Sequence, residues 1–227
     1  MKKHYFSRFE LTLWSVSVFA VVLSFVLFDR VHYLTLTASL VGVTSLILNA
    51  KGNPLGQLLM VVFSLLYGMI SFGFAYYGEM ITYLGMTMPM AVVALVAWLR
   101  HPYRGNRAEV EVNKLGKAET AVMWILSAVV TLFFYFVLAF FDTANLLPST
   151  VSVTTSFLAV YLTFRRSPDF ALAYAANDII LIVLWALASV GDARYLSVVV
   201  CFAAFLVCDL YGFVSWRRMR RLQSGAE

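Results

Sequence analysis

The stretch that decides the fold is Pro168-Asp-Phe-Ala-Leu-Ala-Tyr-Ala-Ala-Asn-Asp-Ile-Ile-Leu-Ile-Val-Leu-Trp-Ala-Leu-Ala-Ser189. It is long and apolar enough to cross a bilayer, which takes ~20 residues. Yet Asn177 and Asp178 stand side by side near its middle. A carboxylate at that depth costs about 2.5–3.5 kcal/mol on the insertion scale. Asp178 is therefore expected to line a cavity or meet a partner rather than face lipid. Tyr174, Asp178, Leu181 and Trp185 recur at helical spacing, so one face carries a hydroxyl, an acid and an indole. That face suits a ligand part aromatic and part polar. The plainer alternative is that such groups bond a neighbouring helix for packing.

Composition sets the class. Of 227 residues, 62% are hydrophobic and 13% charged, and mean hydropathy is +0.83, far from a soluble domain's balance. The chain reads as an all-α, polytopic membrane protein. Its net charge of +5 does not point to nucleic acid, because the basic residues sit between apolar spans, where orientation requires them. Cys201 and Cys208 lie on one predicted helix, roughly 10 Å apart along its axis, too far for a disulfide. The N-terminal apolar run, Leu11 to Phe28, is longer than a usual signal segment and reads as a retained helix.

Eight apolar segments stand out, at about 11–28, 33–50, 54–76, 79–99, 119–141, 147–164, 170–190 and 195–216. With these spans, every Lys and Arg of the chain's 17 except Arg30 and Arg194 falls on the side of the N-terminus. That asymmetry predicts a multi-pass protein of a bacterial-type inner (plasma) membrane with both termini cytoplasmic. Trp14, Trp98 and Trp216 near one boundary, and Tyr33, Tyr76, Tyr77 and Tyr195 near the other, read as interfacial anchors.

Segments 33–100 and 151–218 are weakly self-similar at an offset of 118: Leu66-Tyr67 matches Leu184-Trp185, Trp98 matches Trp216, and Arg100 matches Arg218. The loops Lys51-Gly-Asn-Pro54 and Arg165-Arg-Ser-Pro168 correspond as well. The second copy begins four helices after the first, so both point the same way. The predicted organisation is 1+3+1+3: an extra helix (1–32), a first triple-helix repeat (33–100), a basic loop and linker helix (101–146), a second repeat (147–218) and a basic tail (219–227). Parallel repeats of this kind are the arrangement of SWEET-type carriers, with the site between them near mid-membrane.

With Pro89-Met90 followed by Trp98, Asn177 followed by Trp185, and Tyr211-Gly212 followed by Trp216, the chain resembles the PnuC family of vitamin-precursor transporters over about 33–218. The resemblance implies a SWEET-like facilitator for a nucleoside-like molecule, typically nicotinamide riboside, which a cytoplasmic kinase then traps. Where the nicotinamide riboside branch carries Gln after Pro-Met and a Gly-Trp pair, this chain has Ala91, Ala94 and Leu95. Deoxynucleosides, thiamine or riboflavin therefore stay open as alternative substrates.

Asp209 in the last span falls at a depth comparable to Asp178, within about 3–6 Å of the midplane at ~1.5 Å per residue. Two costly acids at one depth predict a shared polar cavity, and a carboxylate can accept from two ribose hydroxyls. Gln57, Ser64, Tyr67 and Ser71 share a stripe of the third span. Tyr67 and Trp185, facing each other across the pseudo-two-fold, are expected to sandwich a flat heterocycle. Pro89, crowding the Gly85 carbonyl, predicts a kink and a hinge in the fourth span. Asn49 is a gate candidate opposite Gln57. No catalytic constellation, metal-ligand cluster, cofactor motif or phosphate loop is present, so ATP-driven transport is not expected. The candidate substrate-binding set is Tyr174, Asn177, Asp178, Trp185, Gln57, Ser64, Tyr67 and Asp209. The partners expected are a small nucleoside-like molecule, the bilayer, a kinase acting downstream and, as an open option, further copies of the chain. A carrier is the leading reading, with a non-transporting receptor subunit and an intramembrane enzyme as the competing classes.

Overall fold

A computed structural model describes residues 5–73, 76–143 and 145–225. Lys2 and Lys3, which contribute to the charge asymmetry, lie outside this set. Among the described residues, eight helical spans are long and apolar enough to cross a membrane. They are α1 (Arg8–Ser24, ending in a π-helical turn, Phe25–Asp29), α2 (Tyr33–Ala50), α3 (Pro54–Gly73), a fourth span in three pieces, α6 (Lys117–Phe140), α7 (Leu146–Phe164), α8 (Phe170–Ser189) and α9 (Leu196–Ser224). The fourth span runs α4 (Tyr77–Thr82), a π-turn (Tyr83–Thr87) and α5 (Met88–Arg100).

Each start has a local cause. Ser7 and Glu10 form a reciprocal capping box at α1, and Pro54 opens α3. Lipid-facing spans expose their apolar side chains, as with Phe136 and Phe140 on α6. Buried faces carry small and polar residues instead. Gly56 is required where α3 passes α2: a Cβ there would stand 2.2 Å from Asn49 Oδ1.

Helix contacts repeat across the pseudo-two-fold. Helix α2 packs on α3 as α7 packs on α8, and α3 packs on α5 as α8 packs on α9. Each unit's first helix also packs on the other unit's third, α2 on α9 and α7 on α5. Outside this body, α1 lies against α2 and α9, and α6 against α7.

Three expectations need correcting. The fourth span does not simply kink at Pro89. The Met88 N–H bonds the Tyr83 carbonyl five residues back, so the ladder widens into a π-turn just before the proline. Gly85 and Pro89 both face outward.

Trp98 and Trp216 are not interfacial anchors, being 0% exposed. Each indole reaches the end of the other unit's first helix: Trp98 Nε1 donates to Thr163 O at 2.9 Å and Trp216 Nε1 to Asn49 O at 2.7 Å. Both carbonyls lie in a last helical turn, and each also accepts a loop N–H, Gly52 N to Asn49 O at 2.9 Å and Arg166 N to Thr163 O at 3.0 Å, so the indole fills the second lone pair. The two rings pack at 5.3 Å.

The 101–118 connection and the tail are also more ordered than polarity suggests. Pro102–Tyr103 (β1) and Asn106–Val110 (β2) form an antiparallel hairpin. Its turn holds Arg104 at φ 48° and Gly105 at φ 79°, as a tight hairpin demands. From the end of β2 onward, backbone donors reach both short inter-helix loops, Val110 N to Gly52 O and Asn113 N to Arg166 O, each at 3.0 Å. Helix α9 runs on to Ser224 because Gln223 docks on this segment, bonding Val110 O and the Val112 N–H.

Candidate functional site

The acids from α8 and α9 come together between the two units. The Asp178 and Asp209 carboxyls are neighbours and face each other. The side chains are buried, and among the described residues Asp178 Oδ2 has no hydrogen-bond partner. Tyr174, one turn before Asp178 on α8, is partly buried beside both acids. The counterparts of Asp178 and Asp209 at the repeat offset are Met60 and Ala91, both buried in the core. The carboxyls are thus supplied by the second unit alone.

The first unit answers with groups the sequence reading passed over. Tyr83, in the π-turn, faces Asp178 and Tyr174. Glu79, one turn earlier, is 5% exposed, and among the described residues its Oε2 has no partner; neither has the buried Thr87 hydroxyl one turn later. Glu79, Tyr83 and Thr87 follow i, i+4, i+8 spacing, a signal that was legible. Glu79 opens the apolar segment at 79–99, a boundary position where an acid costs little and draws no notice. Ser64 and Ser71 are also buried with unpartnered hydroxyls.

Away from the chain termini, an aromatic layer covers the acids. Trp185 Nε1 donates to the Tyr67 hydroxyl at 2.8 Å, with the rings 6.3 Å apart and edge to face. This overturns the expected sandwich for this state, since the two rings touch and leave no slot for a heterocycle. Tyr76 and Tyr195 pack on Trp185 at 4.8 and 5.4 Å, and Tyr83 packs on Tyr67 at 4.4 Å. A cavity beside Tyr67, Phe63 and Phe202 measures about 10 Å3, room for one water at most. Asp178 and Asp209 are themselves each 4% exposed, so the polar groups expected to share a cavity are shut off from solvent in this structure.

On the terminus side, Trp98, Trp216 and Phe170 form the opposite cover, with Phe170 at 4.9 Å from Trp216. Next to it Gln57 Nε2 donates to Asn49 Oδ1 at 2.8 Å, and the Ser45 hydroxyl donates to Gly56 O at 2.7 Å. Gln57 and Asn49 therefore meet across the Lys51–Pro54 loop.

Asn177 does not join the acids. Its Oδ1 lies against the Ser152, Thr155 and Ser156 hydroxyls of α7 at 2.8–3.2 Å. In this structure it holds α7 against α8, and the adjacent position on a helix points about 100° away from Asp178. Asn177→Ala is expected to lower stability on the ~0.6–1.7 kcal/mol scale of interhelical hydrogen bonds in membranes and to leave ligand affinity unchanged. Thermal-shift and binding titrations on one preparation check both halves.

Similarity to known proteins agrees with this geometry. A nicotinamide riboside transporter PnuC from Neisseria mucosa is 26% identical over 224 residues, covering 96% of this chain and 84% of that protein. The crystal structure of a vitamin B3 transporter PnuC superposes with a TM-score of 0.84 at 22% identity, covering 96% of this chain and 94% of that one. Residues 32–218 match the family model for nicotinamide mononucleotide transporters. Eight spans, two like-oriented triple-helix units and a matched region that takes in both of them lead to one statement: the chain belongs to the nicotinamide mononucleotide transporter family.

Proposed function

We propose that the chain carries a nucleoside-like vitamin B3 precursor across the membrane by alternating access, moving it down its gradient without ion coupling. The observation that carries this reading is the buried Asp178–Asp209 pair, set between the two units and covered by aromatic layers on both sides. Carboxyl oxygens suit the vicinal hydroxyls of a ribose, and the rings of Tyr67, Tyr83 and Trp185 suit a flat heterocycle once the units part. The pairing of Asn49 with Gln57 and the two tryptophan bonds to helix ends are the contacts that opening toward the terminus side would break. Net uptake then follows from cytoplasmic phosphorylation of the passenger. The basic face, which carries both termini, is the cytoplasmic one on the charge asymmetry.

The test is flux of radiolabelled nicotinamide riboside into liposomes that contain the purified chain and no ion gradient. Uptake that equilibrates with the outside concentration is expected. Saturable binding without flux would instead mark a receptor subunit. Flux that needs an imposed proton gradient would make the carboxyl pair a proton carrier and end the uniport reading. Parallel runs with deoxynucleosides, thiamine and riboflavin define the substrate class.

A further inference from the structure

Away from the transport path, a crevice of about 510 Å3 opens between the linker helix α6 and helices α7 and α8. Its walls are apolar, with Met123 and Trp124 from α6, Leu158 and Leu162 from α7, and Leu172 from α8. Trp124 and Leu172 are exposed on the hydrophobic belt. The mouth is polar and holds Asn113, Lys114 and Arg220. The same three residues line a second crevice of about 580 Å3, which continues over the hairpin to Arg104 and Gln223. An apolar trough and a cationic shelf therefore meet at Lys114 and Arg220, where α9 leaves the membrane.

The acids nearby leave the shelf positive. Asp169 at the mouth bonds Arg217 at 3.3 Å. Glu119, on the same stretch of α6, pairs with Arg165. Glu111 lines the second crevice. Among the described residues, neither Lys114 nor Arg220 makes a hydrogen bond or an ion pair, so both cations are available to a ligand.

We infer that this composite crevice is a binding site for an anionic phospholipid, with an acyl chain along α6–α8 and the phosphate on Lys114 and Arg220. A zwitterionic lipid would fill the trough equally well but brings a second cation to a basic shelf. A soluble anion would use the shelf and waste the trough. Basic pockets between transmembrane helices at the membrane boundary take up acidic headgroups for this reason. The inference uses no residue of the transport site and stands whichever molecule is carried.

The experiment is native mass spectrometry of the full-length protein released from mixed micelles. The micelles contain phosphatidylglycerol and phosphatidylcholine, and inorganic phosphate is added in a parallel run. Phosphatidylglycerol should be retained over phosphatidylcholine by about tenfold or more, the scale set by two cations near an acidic headgroup. In Lys114→Ala/Arg220→Ala that preference should fall to parity. Lys114→Gln, at an exposed side chain without a partner, keeps the test open if the double variant does not fold, and should cut the preference at least about threefold. Equal retention of the two lipids, or an undiminished preference in the variants, overturns the inference. So does displacement of the lipid by millimolar phosphate, which would mark the shelf as a soluble-anion site.

Discussion

Asp178→Ala is expected to weaken substrate binding at least about tenfold while raising the protein's thermal midpoint. The two effects have opposite signs for one reason. In the closed structure the Asp178 side chain is buried, faces a second carboxyl, and leaves Oδ2 without a partner. Desolvation of such a group costs about 1–3 kcal/mol, which removal returns to the fold. A hydrogen bond from a ligand hydroxyl to a charged acceptor contributes about 1.5–3 kcal/mol, and that is lost. Asp178→Asn, which keeps one acceptor oxygen, should fall between wild type and Ala in affinity. Calorimetric titration with nicotinamide riboside and a thermal melt on the same preparation read both signs. A variant that binds normally, or that loses stability and affinity together, would show Asp178 to be a packing residue like its neighbour Asn177.

The second large effect concerns the tryptophans at the helix ends. Trp216→Ala should destabilise the protein by about 3–5 kcal/mol, the cost of emptying a fully buried aromatic site. Trp216→Phe isolates the hydrogen bond. It keeps most of the ring contact with Trp98 and Phe170 but leaves the Asn49 carbonyl without its indole donor, a loss of about 1 kcal/mol. The pseudo-symmetry adds a sharper expectation: Trp98→Phe should cost about the same, because its indole meets the equivalent carbonyl of Thr163. The double Phe variant should fall short of the sum, since the two rings touch and share neighbours. Urea or thermal unfolding of the four proteins measures this. Markedly unequal single effects would mean that the two units are not joined by equivalent contacts.

Much of this molecule is legible in its residues. The eight spans follow from apolar run lengths, and most of their limits fall within two or three residues of the helices observed. The like orientation of the repeats follows from counting crossings. The meeting of Asp178 with Asp209 follows from depth alone, because two acids at one level in adjacent spans have few other solutions.

What escaped did so for identifiable reasons. Span periodicity says which residues share a face, but not which neighbour that face meets. Asn177 was therefore grouped with Asp178 although its side chain turns to α7. Trp98 and Trp216 sit at the depth of interfacial anchors, and only the fold shows that the other unit covers them. The hairpin draws its order from partners distant in sequence, the Gly52 and Arg166 carbonyls and Gln223, which no local pattern announces. Tyr67 and Trp185 stand at the repeat offset of 118, but a direct hydrogen bond between them depends on how closely the units approach.

That Met60 and Ala91 stand where the other unit has its acids bears on how a passenger would travel. The axis relating the units runs along the membrane normal, so reopening on the opposite face does not exchange the wall that carries Asp178 and Asp209 for the one that carries Met60 and Ala91. On the carrier reading, a sugar moored to α8 and α9 keeps the same compass heading throughout the crossing, with no somersault in mid-bilayer. Enantiomers, or isomers with the hydroxyls moved to the opposite edge, would then be turned away at both doors by the same wall.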